Sequence, residues 1–296
     1  MTPARGPLII PGDLARAAAE EGRGDWLAGL PALVAQVAAD WQVEVGDPFL
    51  PGGATAWVAP ARDHAGRDLV LKVCWRHPEA LHEADGLRTW AGAGAIRLNQ
   101  ASELAEATVL LLERCRPGTQ LRASPPEQRD RVIAGLLRCL WMEPPPGHCF
   151  RPLADMCDYW ASRYEERSPA ERSCLEAPLA REGIRLLREL PRSGGDVLLL
   201  HTDLHAGNVL AAEREPWLAI DPKPYVGDPA YDVTQHIFNE VFIDDRDAGA
   251  LAARMARPLD LDTDRILLWL FARAVEASPY WAGMAELART LYSCVT

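Results

Sequence analysis

The pattern of apolar and polar positions changes character twice along the chain. Over the first forty residues it is helical: Asp13 stands where an N-cap would precede an Ala-rich segment, and a second periodic stretch covers 26–41, broken at Pro31. From Val43 the period shortens. Val43-Glu44-Val45, the turn Pro51-Gly52-Gly53, residues 55–58, a turn at 63–66 and residues 68–75 read as strand, glycine turn, strand, turn, strand. Residues 78–90 predict a helix, with Pro78 near its start and Leu81, Ala84, Leu87 and Trp90 along one stripe. Two more strands are expected at 95–98 and 108–113, the second a continuous apolar run suited to a buried strand.

After residues 114–119, a short Pro-Gly connector, strand signals nearly vanish. Helical spacing covers 127–142, 152–166, 176–190, 262–276 and 280–293, with Pro125-Pro126 and Pro144-Pro145-Pro146 as punctuation. The exceptions are two short apolar runs, 197–200 and 217–220. The expected architecture is α+β in two lobes. Residues 1–113 form a lobe with a helical leader, a small five-stranded antiparallel sheet and one helix; 114–119 form a hinge; 120–296 form a larger helical lobe.

Composition narrows the class of partner. The chain has 296 residues, 48% hydrophobic and 25% charged, as in ordinary globular proteins. Its net charge of −11 repels phosphate backbones, which argues against nucleic acid and favours a cationic ligand. The seven cysteines form no CxxC pair, so a reducing compartment is expected, without a disulfide framework. The apolar run Pro7-Leu8-Ile9-Ile10 is too short for a signal peptide, and no stretch reaches about 18 apolar residues. A cytoplasmic protein without a membrane span is expected. Of the 31 basic residues only Lys72 and Lys223 are lysine. Lysine is a compact point charge and arginine a wide planar fork, so these two either mark places where the fork would not fit or are retained by chance.

The chemistry concentrates in residues 198–223, LLLHTDLHAGNVLAAEREPWLAIDPK. Strand, polar loop, strand, turn and strand would set Asp203, Asn208 and Asp221 at the mouth of a small hairpin. Two acids and an amide are hard oxygen donors of the kind Mg²⁺ takes. Asp203-x4-Asn208, followed by Asp221 behind the next apolar strand, matches the catalytic-loop and metal-ligand spacing of phosphoryl-transfer enzymes. Upstream, Lys72 in the third strand and Glu83 in the following helix match the ion pair that anchors a nucleotide's α- and β-phosphates. A GxGxxG turn between a first strand and a helix is absent, as is GxxxxGK[ST], which disfavours a dehydrogenase and a P-loop enzyme. A catalytically inactive nucleotide-binding scaffold would be expected to lack one of Lys72, Asp203, Asn208 or Asp221, and all four are present.

The run DPKPYVGDPAYDVTQHIFN at 221–239, with HTDLHAGNVL before it, resembles the aminoglycoside/hydroxyurea antibiotic resistance kinase family, whose best-known members are streptomycin 6-phosphotransferases. The resemblance extends to LKVCW around Lys72, HEADGLRTWAGAGAIRL at 82–98 and LLLERCRPGT at 110–119. It implies a protein-kinase-like fold with ATP between the lobes, Mg²⁺, and a cationic or polar small molecule over the C-terminal lobe. It further implies that Asp203 is the catalytic base, Asn208 and Asp221 the Mg²⁺ ligands, and Lys72 with Glu83 the phosphate anchor. The backbone of Glu113, Arg114 and Cys115 would bind adenine. The implied activity is O-phosphorylation of an aminoglycoside such as streptomycin, with hydroxyurea or another small polar metabolite as the alternative acceptor. Thr202 departs from the family, where many members carry glycine.

Other residues admit two readings. The turn holding Gly52 and Gly53 is a phosphate cradle or a plain hairpin turn. His201 and His205 flank Asp203 but lack a third soft ligand, so they stiffen the loop more readily than they bind zinc. Lys223, two residues past Asp221, is placed to touch phosphate or substrate. Asp228 and Asp232 suit helix capping and bracing of the loop. Glu240, Asp244 and Asp245 line a cationic site or are simply solvated. Trp269 and Trp281 suit the core.

Overall fold

The structure is a computed structural model that describes residues 8–172 and 174–295, without the side chains of Glu79, Cys294 and Val295. Pro7 and the thiol of Cys294 lie outside the described residues. The chain divides into two compact units, Met1–Gly118 and Thr119–Thr296.

The first unit opens with α1 (Gly12–Glu20) and α2 (Gly24–Asp40). An antiparallel sheet follows: β1 (Val43–Val45), β2 (Ala56–Asp63), β3 (Asp68–Trp75), β4 (Leu98–Glu103) and β5 (Ala107–Glu113), in the order β1-β2-β3-β5-β4. Helix α3 (Glu83–Trp90) lies between β3 and β4. Alternation along β3 decides what each face does. Leu69, Leu71, Val73 and Trp75 join Leu14, Leu30, Val34 and Val37 of the two leading helices in one buried cluster. Each such side chain contributes about 1.5–3 kcal/mol on burial. Lys72, between Leu71 and Val73, is thereby turned to the opposite face.

Several boundaries differ from the sequence expectation. Pro11 is the residue before α1; Asp13 sits in its first turn and pairs with Arg16 at 2.9 Å. Pro31 does not break α2, because only one intrahelical bond is lost while Leu30, Val34 and Val37 stay buried on one face. The segment 78–90 is not one helix. A 3₁₀ turn at Pro78–Ala80 ends at Leu81, and His82 takes a left-handed backbone (φ 68°) before α3 begins at Glu83. The strand expected at 95–98 runs instead from Leu98 to Glu103. As an edge strand with mostly exposed or half-exposed side chains it needs no apolar run.

The second unit contains α4 (Pro126–Leu140), α5 (Leu153–Glu166), α6 (Ala177–Glu189), α7 (Pro229–Asp232), α8 (Thr234–Asp244), α9 (Ala248–Leu259), α10 (Thr263–Ala277) and α11 (Ala282–Val295). Helix α10 is its centre, with Ile266, Trp269, Leu270, Phe271 and Val275 fully buried. Gly183 of α6 packs directly on Val275, where a Cβ would overlap the valine. Three short strands, β6 (Arg151–Pro152), β10 (Tyr225–Gly227) and β7 (Leu198–Leu200), pair in that order. β8 (Val209–Ala211) and β9 (Trp217–Ala219) form a separate hairpin. β6 and β10 are too short to carry a period and have no sequence signal. Among the described residues no helix is long and apolar enough to cross a membrane.

Candidate active site

In the first unit Lys72 and Glu83 meet as the spacing suggests. The Lys72 ammonium lies 2.8 Å from each Glu83 carboxylate oxygen, and both residues are buried. Register places Lys72 opposite Val58 on β2 and Leu110 on β5, so the lysine stem is held in the middle of the sheet. Glu83 is the first residue of α3, where the helix dipole favours a carboxylate.

Gly52 lies between β1 and β2 with φ +86°, and a Cβ there would come within 2.7 Å of the Pro11 Cβ. Packing under α1 therefore accounts for this glycine, whereas Gly53 has room for a side chain. At the end of β5, the Glu113 N–H donates to the Arg97 carbonyl at 2.8 Å, and its carboxylate accepts from the Arg97 N–H at 2.9 Å. The Glu113 N–H is thus committed within the sheet edge. The Arg114 guanidinium lies over the Phe49 ring at 5.7 Å, and Cys115 is buried.

In the second unit the polar loop leaves β7 at Leu200 and folds back on itself. His201 is fully buried, which pushes its imidazole down to about 3. Its two ring nitrogens are both used: Nε2 bonds the Ile220 carbonyl at 3.2 Å, and Nδ1 accepts the Asp203 N–H at 3.3 Å. That is a neutral ring in one tautomer. His205 is pushed down to about 4, chiefly by burial, and its Nδ1 accepts the Gly207 N–H at 3.1 Å. Both histidines brace the loop, and neither arrangement is that of a zinc site.

Asp203 and Asn208 face each other across this turn. The Asn208 Nδ2 donates to the Asp203 carbonyl at 3.0 Å and to its Oδ2 at 3.3 Å. The same Oδ2 lies 3.3 Å from the Lys223 ammonium. Because Asn208 spends its amide nitrogen on Asp203, its amide oxygen is the donor left to a ligand. Ile220 donates its N–H to the Asn208 carbonyl at 2.9 Å, and Asp221 follows with a left-handed backbone, φ 57°. The donor set of Asn208 and Asp221 is all oxygen, which fits a hard divalent cation and not a soft one.

Asp228 caps α7 through the Ala230 N–H at 2.9 Å and takes Arg265 and the Trp269 indole, each at 2.6 Å. Asp232 reaches back to the loop, accepting the N–H groups of His201 at 3.0 Å and Thr202 at 2.6 Å. Of the three acids at the end of α8, Glu240 is buried, whereas Asp244 and Asp245 are exposed. Glu240 bonds Arg129 at 2.8 Å and Arg246 at 2.6 Å, and Asp244 also bonds Arg129. Asp130 joins the same network through His236 at 2.9 Å and Arg246 at 2.6 Å. Burial would raise the Asp130 carboxyl, but these partners outweigh it and hold it low. Asp245 closes α8 in a left-handed conformation. Trp269 is core, but Trp281 is half exposed and packs on Phe242 at 4.1 Å. Sequence reasoning missed Trp141, whose indole N–H bonds Asp232, and Gln120, whose amide bonds the Gly207 carbonyl at 3.1 Å. Nothing local marks either residue.

A lysine on an antiparallel sheet paired with a helix glutamate, together with an Asp–Asn–Asp set around a hairpin in a helical unit, is the residue set of a kinase-like phosphotransferase. The chain belongs to the aminoglycoside/hydroxyurea antibiotic resistance kinase family, whose family model matches residues 41–284. It is 36% identical over 274 residues to a streptomycin 6-kinase of Streptomyces griseus, covering 88% of this chain and 85% of that protein. It is 34% identical over 261 residues to a hydroxyurea phosphotransferase of Kitasatospora aureofaciens, covering 85% and 73%. Among solved structures, an amicoumacin kinase in complex with AMP-PNP and Ca²⁺ shares the fold, with TM-score 0.59, 14% identity and coverage of 89% and 92%. The protein is a small-molecule kinase of the antibiotic-inactivating type and uses ATP, and such kinases generally use a divalent metal.

Proposed function

We propose that the protein transfers the γ-phosphoryl group of ATP to a hydroxyl of an aminoglycoside, with streptomycin the leading acceptor. The observation that carries this reading is the Asp203 carboxylate, fixed 3.3 Å from both the Asn208 amide and the Lys223 ammonium. A carboxylate so oriented can accept the proton of an attacking hydroxyl, a contribution of about 10²–10⁴-fold in rate. Lys72, held by Glu83, anchors the nucleotide's phosphates, and the backbone of 113–115 meets its adenine. Since the Glu113 N–H is taken by Arg97, that contact falls to the remaining groups of the segment. Gly52 and Gly53 belong to the turn over the phosphates, although packing on Pro11 suffices to explain the first. Mg²⁺ would be held by the oxygens of Asn208 and Asp221 and would neutralise charge on the phosphates.

Two facts support a cationic acceptor: the 36% identical relative is a streptomycin 6-kinase, and the chain carries a net charge of −11. Hydroxyurea is the second reading, favoured by the 34% identical relative. The test is acceptor-dependent ATP consumption with Mg²⁺ across streptomycin, other aminoglycosides and hydroxyurea, with Asp203→Ala as blank. Turnover on streptomycin supports the first reading, and turnover on hydroxyurea alone moves the substrate. Activity retained by Asp203→Ala removes Asp203 as base. Asp221→Ala should weaken Mg²⁺-nucleotide binding, and an unchanged affinity would remove it from the metal site.

A further inference from the structure

The chain contains two lysines, and each ends at a carboxylate of its own unit: Lys72 on Glu83 and Lys223 on Asp203. Every other basic residue that is not histidine is arginine. Elsewhere in the second unit arginine makes the buried pairs, as Arg129 does with Glu240 and Arg246 with Asp130. At position 223 a compact ammonium stands where a planar fork was otherwise the default.

The backbone around Lys223 is fixed on both sides. Its N–H donates to the His201 carbonyl at 2.9 Å, and its own carbonyl accepts the Thr202 hydroxyl. Pro222 and Pro224 flank it, and a following proline restricts the preceding residue to extended backbone. Only the flexible stem can move. The Lys223 side chain is 32% exposed against 16% for Asp203, so the lysine is the more solvent-accessible partner. At 3.3 Å the contact is longer than a close charge-assisted hydrogen bond, which leaves the ammonium able to move to a stronger anion.

We propose that Lys223 is a catalytic residue of the transfer step: its ammonium rests on Asp203 between turnovers and moves onto the planar phosphoryl group under transfer. The proposal rests on the reading of Asp203 as the base. In the step, the acceptor oxygen forms a bond to the γ-phosphorus. The bond from that phosphorus to the β-bridging oxygen breaks, with its electron pair leaving on ADP. The hydroxyl proton passes to the Asp203 carboxylate and then to water. Lys223 keeps its protons throughout and supplies positive charge to the planar phosphoryl group and to the carboxylate beside it. Without it, two anions would face each other as the hydroxyl attacks.

The test needs no knowledge of the acceptor. ADP binding is measured by calorimetry in Mg²⁺, with and without aluminium fluoride, a mimic of the planar phosphoryl group, for wild type, Lys223→Met and Lys223→Arg. Fluoride is expected to tighten ADP binding to the wild type. Both variants should lose at least tenfold of that tightening while binding ADP alone within about twofold of wild type, which also shows that they fold. If the variants keep the wild-type gain, or if wild type binds ADP but gains nothing from fluoride, the assignment is overturned. A wild type that binds no ADP overturns the nucleotide reading itself, and the Lys223 proposal with it. With an acceptor in hand, Lys223→Met should lower kcat about 10²–10³-fold with both KM values nearly unchanged. A loss confined to KM would overturn the proposal.

Discussion

Asp232 fixes the conformation of Thr202 from thirty residues downstream. Its Oδ1 accepts the Thr202 N–H at 2.6 Å, while its Oδ2 takes the His201 N–H and the Trp141 indole, each at 3.0 Å. Thr202 can then hold φ 56°, the left-handed region, in the residue just before Asp203. Burial lifts the Asp232 carboxyl to about 6, with the hydrogen bonds pulling against that rise. The direction in which Asp203 leaves the loop is therefore set by an acid that need not touch either substrate.

Asp232→Asn tests this arrangement. An amide offers one oxygen where three donors converge, and its own N–H groups would face the others. At least one buried donor is left without a partner, at about 1–3 kcal/mol. Urea unfolding should show that loss, and turnover should fall with it while ATP affinity is nearly kept. A variant as stable and active as wild type would mean that the loop holds itself.

Thr202 carries two opposing terms. A left-handed backbone costs a residue with a Cβ about 1–2 kcal/mol, and glycine avoids that cost. The hydroxyl bond to the Lys223 carbonyl returns about 1 kcal/mol. Thr202→Gly should therefore lie within about 1 kcal/mol of wild type, whereas Thr202→Val keeps the strain, loses the bond and is clearly destabilised. Denaturant midpoints for the two variants decide it, and a Val variant at least as stable as the Gly one refutes the account.

The Lys72–Glu83 pair separates stability from function. Lys72→Ala leaves Glu83 buried without its cation, which costs about 3–5 kcal/mol, since removing one partner of a buried pair is worse than removing both. The double variant Lys72→Met with Glu83→Leu should recover most of that stability yet bind ATP no better than Lys72→Ala. Recovery of nucleotide binding by the double variant would show that the pair is structural only.

The sequence made some of these relationships readable because each rests on a short period or spacing. Alternation within residues 68–75 is enough to turn Lys72 away from the apolar cluster, and Glu83 stands one connection later. The polar loop between two apolar runs likewise carries Asp203 and Asn208, and Asp221 follows directly on the second run. What stayed hidden depends on partners far along the chain. Glu240 and Asp244 look like open acids until Arg129, more than a hundred residues earlier, is brought against them. The apolar run at 95–98 points to a strand earlier than the observed Leu98–Glu103 because an edge strand can be polar, and the helix expected from Pro78 starts at Glu83 because His82 takes a left-handed backbone. Trp281 suits the core by type, yet it is half exposed beside Phe242.

The two histidines that brace the loop make the fold sensitive to mild acid. In the folded state His201 and His205 are held down to about 3 and about 4 by burial, against about 6.5 in the unfolded chain. A depressed folded value means that the stability is present above pH 6.5 and is lost as pH falls toward 3–4. Asp232 acts the other way. Its folded value of about 6 exceeds the unfolded one, so its contribution is lost as pH rises through 4–6. Two protons taken up on unfolding against one released leave a net of about one between pH 6 and 4, or about 1.4 kcal/mol per pH unit lost on acidification. Urea midpoints should thus fall from pH 7 to pH 5. His205→Asn keeps an acceptor for the Gly207 N–H but carries no titrating proton, so it should flatten that dependence by about one proton. If the variant follows the wild-type curve, the acid sensitivity arises elsewhere in the molecule.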